Sequence, residues 1–231
     1  MAASLILFDL DGTLVDSAPD IARALNATMA EVGVPALPLP RVVGYVGDGA
    51  TKLVERALSP EPPAQAEAER DVPDLVARFR RHYADAICVE TRPYPGIVDV
   101  LAGLAGDGAH MAVLTNKPGD LARDLLRALA LDRFFSDVVG DGDGWARKPA
   151  PDAARDLLAR HGVTARAALV VGDGVPDLRL GRAVGCPVAA VTWGYTARAV
   201  LEAEAPDYLV DDARELLEIA RRFGAPFKPG P

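Results

Sequence analysis

Four short apolar runs constrain this chain more than any other feature. They are Ser4 to Phe8 (SLILF), Met111 to Leu114 (MAVL), Ala168 to Val171 (ALVV) and Val188 to Thr192 (VAAVT). Each is too short for an ordinary helix, and none alternates polar with apolar residues as a half-exposed strand would. Such runs suit strands covered on both faces. Ser136 to Val139 and Tyr208 to Val210 read as weaker strands. Between the runs lie helical patterns at Leu121 to Leu131, Pro151 to His161 and Asp177 to Val184. Strand and helix in alternation predict an α/β fold, a Rossmann-like doubly wound parallel sheet with helices on both faces.

The alternation is interrupted once. From about Asp16 to about Arg92 the periodicity is helical, with no convincing strand. Ile21, Ala24, Leu25 and Met29 mark one helix, Val54, Ala57 and Leu58 a second, and Leu75, Phe79, Tyr83 and Ile87 a third. Residues 16–92 are therefore expected to be an all-helical insert, with Arg92-Pro93-Tyr94-Pro95-Gly96 as the return hinge. The core would then consist of residues 1–15 and 93–231. A length of 231 residues suits one full domain plus a smaller partner. The tail from Gly224 onward is expected to fray.

Ligands of open parallel sheets bind beyond the carboxyl ends of the strands, where the strand order reverses. Polar clusters fall at those positions here. The first strand runs into Asp9-Leu10-Asp11-Gly12-Thr13, the Met111 strand into Thr115-Asn116-Lys117, and the Ala168 strand into Gly172-Asp173-Gly174-Val175-Pro176-Asp177. Arg147-Lys148-Pro149 stands just ahead of a helix. Carboxylates that converge repel one another and resist ionisation unless a cation compensates. Hard oxygen ligands with no His or Cys nearby point to Mg²⁺. The chain has only four lysines, and Lys117 and Lys148 both lie in these clusters.

Composition narrows the partners. With 25 Lys plus Arg against 33 Asp plus Glu, the net charge of −8 is unsuited to nucleic acid or an anionic membrane surface. No run approaches the roughly 18 apolar residues of a membrane span, and the start reads as no signal peptide. Two cysteines, Cys88 and Cys186, make no disulfide framework, so a cytoplasmic location is expected. His82, His110 and His161 form no zinc pattern. The glycine-rich segments at 140–147 and 44–52 lack the spacing of a calcium loop and of a P-loop respectively.

The stretch Asp9-Leu-Asp-Gly-Thr-Leu-Val-Asp-Ser17 resembles the signature opening of the haloacid dehalogenase superfamily. Thr115-Asn116, Lys148-Pro149 and Gly172-Asp173…Asp177 are similar to its later motifs, in order, and the helical insert to its cap. The resemblance covers essentially the whole chain. It implies Asp9 as nucleophile, forming an aspartyl-phosphate, and Asp11 as general acid and base. It implies Mg²⁺ held by Asp9, the Asp11 backbone carbonyl and Asp173. Thr115, Asn116 and Lys148 would bind phosphate, with Asp177 orienting Lys148 or a metal-bound water, unless it merely caps its helix. Lys117 is the rival to Lys148, which the Lys-Pro-x-Pro context favours. Gly174 stands where many relatives carry Ser.

Substrate choice in that superfamily comes largely from the cap. Tyr45 to Leu58, with Asp16-Ser-Ala-Pro-Asp-Ile and Thr192-Trp-Gly-Tyr195, resembles bacterial phosphoglycolate phosphatases. The expected reaction is hydrolysis of 2-phosphoglycolate to glycolate and phosphate, by a monomer or homodimer. Gly47 and Gly49 would offer backbone N–H groups to an anionic substrate at a helix start, with Lys52 or Arg41 adding charge. Pyrophosphate, sugar phosphates, amino-sugar phosphates and a phosphoglucomutase-type transfer remain alternatives. A receiver-type phospho-acceptor module shares the Asp, Mg²⁺, Thr and Lys, but its acceptor follows the third strand.

Overall fold

A computed structural model of the chain describes residues 5–59 and 71–224. Strand β1 (Leu5–Phe8) leads through a short β2 (Val15–Asp16) into helices α1 (Ala18–Ala30), α2 (Leu39–Val43), α3 (Ala50–Leu58) and α4 (Val72–Asp85). The chain returns through β3 (Arg92–Pro93) and then alternates: α5 (Ile97–Gly106), β4 (His110–Pro118), α6 (Gly119–Ala128), β5 (Asp137–Asp141) and α7 (Asp152–Arg160). It closes with β6 (Ala168–Gly172), α8 (Val175–Val184), β7 (Val188–Val191), α9 (Arg198–Ala203), β8 (Tyr208–Val210) and α10 (Ala213–Gly224). Residues 225–231 lie outside the described residues, and with them most of the tail expected to fray.

The apolar runs become a parallel sheet of order β5-β4-β1-β6-β7-β8. Side chains alternate across each strand. Ile6 and Phe8 therefore pack with α5, α6 and α10, while Leu5 and Leu7 pack with α7, α8 and α9. Both faces of the sheet are covered, which is why the runs carry no polar alternation. Between β1 and β4 and between β4 and β5 the chain moves to one side, then it crosses to β6 on the other side of β1. The order thus reverses at β1, and the crevice above β1 and β6 is the expected ligand position.

Helices α1 to α4 enclose an apolar cluster of their own, including Leu25, Met29, Val54, Phe79 and Tyr83, which Leu121 of α6 joins. The expectation of no strand between Asp16 and Arg92 needs one correction. Val15–Asp16 pairs antiparallel with Arg92–Pro93, so both connections run as one small ribbon. Two residues per strand are too few to leave a period-2 pattern in the sequence.

Candidate active site

The register brings together the clusters that follow β1, β4 and β6. Phe8 is level with both Val113 and Val171, so Asp9 leaves β1 beside the ends of β4 and β6. Its backbone N–H donates to Val171 O at 2.9 Å. Lys148 is buried between two carboxylates, its Nζ 2.8 Å from Asp9 Oδ1 and 2.6 Å from Asp177 Oδ1. Burial opposes its charge, but Asp177 and then Asp9 outweigh that and hold the ammonium above the ordinary lysine range. Asp177 makes contacts in two directions. One oxygen meets Lys148, and the other accepts the Gly174 N–H at 3.1 Å at the start of α8.

Asp173 is buried beside them. Thr13 Oγ1 donates to its Oδ1 at 2.9 Å and Tyr195 N–H to its Oδ2 at 2.8 Å. Burial, with Asp9 and Asp177 adding repulsion, nevertheless pushes its carboxyl up to about 8. Gly12 has φ +86°, and a β-carbon there would overlap the Asp173 carboxylate. The glycine of the Asp-Gly-Thr segment is therefore required twice, for the left-handed turn and for room. Asp9, Asp173 and Asp177 each offer a carboxylate oxygen within 4.8 Å of one another. Asp9 Oδ1 is buried, and its one partner among the described residues is the Lys148 ammonium. Hard oxygen ligands and three carboxylates gathered beside one ammonium fit a divalent cation such as Mg²⁺.

Asp11 belongs to a different arrangement. Its oxygens lie 3.0 and 3.1 Å from Lys117 Nζ, which also donates to Tyr83 Oη at 2.8 Å. Ser17 Oγ donates to Asp11 Oδ1. The Asp11 side chain is therefore not part of the Asp9–Asp173–Asp177 group. Nor do Lys117 and Lys148 compete, since each lysine holds one aspartate of the first motif. The register of β4 shifts between Leu114 and Pro118, an irregularity that carries Thr115, Asn116 and Lys117. Thr115 Oγ1 accepts from Lys117 N at 3.2 Å, leaving its proton to donate. Asn116 differs from expectation. Its Oδ1 accepts from Lys148 N at 2.8 Å, and its Nδ2 donates to Gly47 O at 2.9 Å and to Lys148 O at 3.3 Å. The carboxamide thus ties the Lys148 loop to the helical insert, and no free end of it remains for a phosphoryl oxygen.

Known proteins resemble this chain over most of its length. A model of the haloacid dehalogenase-like hydrolase family matches residues 6–191. The phosphoglycolate phosphatase of Aliivibrio fischeri is 38% identical over 217 residues, 93% of this chain and 95% of the relative. The chain belongs to the haloacid dehalogenase-like hydrolase family. Phosphoglycolate phosphatase 1 of Pseudomonas aeruginosa is 37% identical over 94% of this chain and 79% of the relative. The crystal structure of a predicted phosphoglycolate phosphatase from Haemophilus somnus superimposes with a TM-score of 0.87 at 32% identity. That match covers 95% of this chain and 98% of the other. The hydrolase fold inferred from the sequence is thereby established.

Two cavities open from Asp9 and Asp11 of this hydrolase. One, of about 200 Å³, is lined by Lys148, Asp173, Asp177 and Tyr195. The other, of about 50 Å³, lies against the helical insert, with Ile21, Leu53 and Phe79 as an apolar wall and Thr115 and Lys117 opposite. Gly47 and Gly49 line the second cavity. The hydrogen bonds their loop makes to the core, however, use carbonyls: Gly47 O accepts from Asn116 and Asp48 O from Arg147 at 2.9 Å. Gly49, at φ +89°, leaves the space that Arg147 fills. The expectation for Lys52 is overturned. Helix α3 buries Ala50, Leu53, Val54, Ala57 and Leu58, and Lys52 lies on the other face, exposed and paired with Glu55 at 2.6 Å. Arg41 is likewise outside both cavities and donates to Tyr45 Oη at 2.7 Å.

Sequence reasoning missed Tyr83, Ser17, Arg147 and the role of Lys117. Tyr83 was read as a core position of a helix, which it also is, while burial pushes its phenol up to about 12. The available signal was weak: Lys117 and Arg147 directly flank motif residues, and Ser17 closes the first motif. Among the described residues, no helix is long and apolar enough to cross a membrane.

Proposed function

We propose that the protein is a Mg²⁺-dependent phosphomonoesterase that works through an aspartyl-phosphate on Asp9, with 2-phosphoglycolate as substrate. One observation carries the reading: a buried Asp9 oxygen lies beside Lys148 and two further carboxylates. With Lys148 as its one partner among the described residues, Asp9 Oδ1 keeps lone pairs for phosphorus and for a metal ion. Phosphoglycolate as the substrate is supported by the names of the relatives and by charge placement in the smaller cavity.

Asp9, Asp173 and the Asp11 backbone carbonyl would hold the cation, which when bound supplies positive charge to the transferring phosphoryl group. Asp9 attacks phosphorus through a carboxylate oxygen, and the bond to the ester oxygen breaks. The leaving oxygen takes its proton from Asp11. In the second step Asp11 accepts a proton from the attacking water, the Asp9–phosphorus bond breaks, and phosphate departs. Lys148 holds Asp9 in place and offsets charge on the phosphoryl oxygens, and Thr115 Oγ1 donates to one of them. Residues 16–92 act as a cap over the core of 1–15 and 93–231, and its apolar wall excludes water from the smaller cavity. Among the described residues Lys117 is the one cation lining that cavity, so its charge, shared with Asp11, rather than that of Lys52, faces the substrate's carboxylate.

The test is hydrolysis of p-nitrophenyl phosphate by wild type and Asp9→Asn, with Mg²⁺ and with chelator, followed by kcat/KM over phosphoglycolate, pyrophosphate and sugar phosphates. Activity is expected only for wild type with Mg²⁺, and phosphoglycolate is expected to be preferred. Activity of Asp9→Asn sinks the mechanism, and preference for a sugar phosphate sinks the substrate assignment.

A further inference from the structure

Helix α1 begins unusually. Ser17 is its N-cap residue, yet the Ser17 hydroxyl caps nothing in the helix. It donates instead to Asp11 Oδ1. Ordinarily a serine at this position would accept an N–H of the first turn. Here the Tyr195 hydroxyl meets the chain at the helix start, accepting from Ser17 N at 2.8 Å and from Ala18 N at 2.9 Å. It donates its own proton to Asp16 Oδ1 at 3.1 Å. A phenol has one proton and two lone pairs, so every hydrogen-bonding position of Tyr195 Oη is taken. Burial, with Asp11 next, pushes the phenol far above its ordinary range and keeps it protonated.

Tyr195 stands on the core, between β7 and α9, 178 residues along the chain from Ser17. Its backbone N–H is also one of the two donors that hold Asp173. The same loop grips the first motif at a second point, where Trp193 Nε1 donates to Thr13 O at 3.1 Å. Asp16, the residue the phenol donates to, forms the ribbon into the insert with Arg92.

We propose that Tyr195 is a positioning residue for Asp11: by holding the start of α1 it frees the Ser17 hydroxyl to fix the Asp11 carboxylate, and it ties that carboxylate to the loop that holds Asp173. This rests on the phosphatase reading, in which Asp11 donates a proton to the leaving oxygen. A displaced general acid matters most when the leaving group is a poor one. An alkyl ester such as phosphoglycolate leaves as a strongly basic alkoxide, whereas p-nitrophenol leaves readily without help.

The experiment compares wild type, Tyr195→Phe, Ser17→Ala and the double variant on phosphoglycolate and p-nitrophenyl phosphate with Mg²⁺, together with hydrogen exchange at the Ser17 and Ala18 amides. Partial loss of acid catalysis is expected to lower kcat on phosphoglycolate by about 10-fold in each single variant, against less than about threefold on the nitrophenyl ester, with KM within about twofold. The double variant is expected to be no worse than the weaker single one, since the two residues act along one chain of contacts. Exchange at Ser17 and Ala18 is expected to quicken in Tyr195→Phe. Equal losses on both esters, multiplicative losses in the double variant, or unchanged kcat with only a lower melting temperature would each overturn the proposal. Inactivity of wild type on both esters would instead refute the phosphatase reading.

Discussion

Removing the Asp20 carboxylate should unfasten the return connection from α1. Asp20 is fully buried. It accepts from the backbone of Val89 at 2.9 Å, Glu90 at 3.0 Å and Thr91 at 2.9 Å, and from Thr91 Oγ1 at 2.7 Å. Arg23 Nη1 lies 2.9 Å away. Burial disfavours the carboxylate, but the Thr91 hydroxyl and the three amides outweigh it and hold its pKa below the ordinary value. In Asp20→Ala these donors lose their acceptor, the two Thr91 groups in a buried position and the Val89 and Glu90 amides in a partly buried one. Hydrogen bonds to a charged group are worth roughly 1.5–3 kcal/mol each, while burial of the carboxylate itself is refunded. A net loss of about 4 kcal/mol results, in line with breaking one side of a buried charged network. For a chain of this size that is a fall in Tm of about 8–16 °C. The assay is urea and thermal unfolding of wild type, Asp20→Ala and Asp20→Asn at pH 7 and at pH 3. The sign follows from linkage. A carboxyl with a depressed folded-state pKa contributes above its unfolded pKa, and the contribution is lost as pH falls through the folded value. The gap between wild type and variant should therefore narrow in acid. A Tm within 3 °C (roughly 1 kcal/mol) at pH 7 would refute the reasoning, as would a gap that widens at pH 3.

Two further outcomes follow from the packing around Asp173. In Gly12→Ala the positive φ costs about 1–2 kcal/mol, and the new methyl must displace the Asp173 carboxylate. A shift on the order of 1 Å at a catalytic position costs about 100-fold in kcat; wild-type kcat on p-nitrophenyl phosphate would refute it. Without divalent cation, Asp173 has its carboxyl raised from 3.8 to about 8, first by burial and then by Asp9. A raised carboxyl binds its proton more tightly in the folded state, so its contribution to stability falls as pH rises from about 4 to about 8. Mg²⁺ should stabilise more at pH 8 than at pH 5, and equal stabilisation in urea at both values would refute this.

How much of the site was legible depended on whether a residue's partner is local. The Asp-x-Asp-Gly-Thr segment was readable because its constraints act within the turn, as Gly12 with its positive φ illustrates. Lys148 was readable from its proline context. Lys52 was misassigned because a lysine in a glycine-rich loop looks like an anion ligand until α3 turns it to the exposed face. The Asn116 carboxamide departs from expectation for the opposite reason. It is aimed at the site but is taken by Gly47 O, 69 residues away.

By itself the sequence determined the strands, their burial on both faces, the helical insert and the carboxylates at the strand ends. Those follow from periodicity and from which side chains tolerate burial, properties that a few neighbouring residues carry. The tertiary structure decided which lysine serves which aspartate, and that Tyr195, Ser17 and Asp20 bind the two connections to the site. Asp11 and Lys117 meet because β4 flanks β1 and shifts register between Leu114 and Pro118, while Lys148 reaches Asp9 from the loop between β5 and α7. A hydrogen bond across more than a hundred residues depends on strand order and side-chain direction, and neither is carried by any local stretch of the chain.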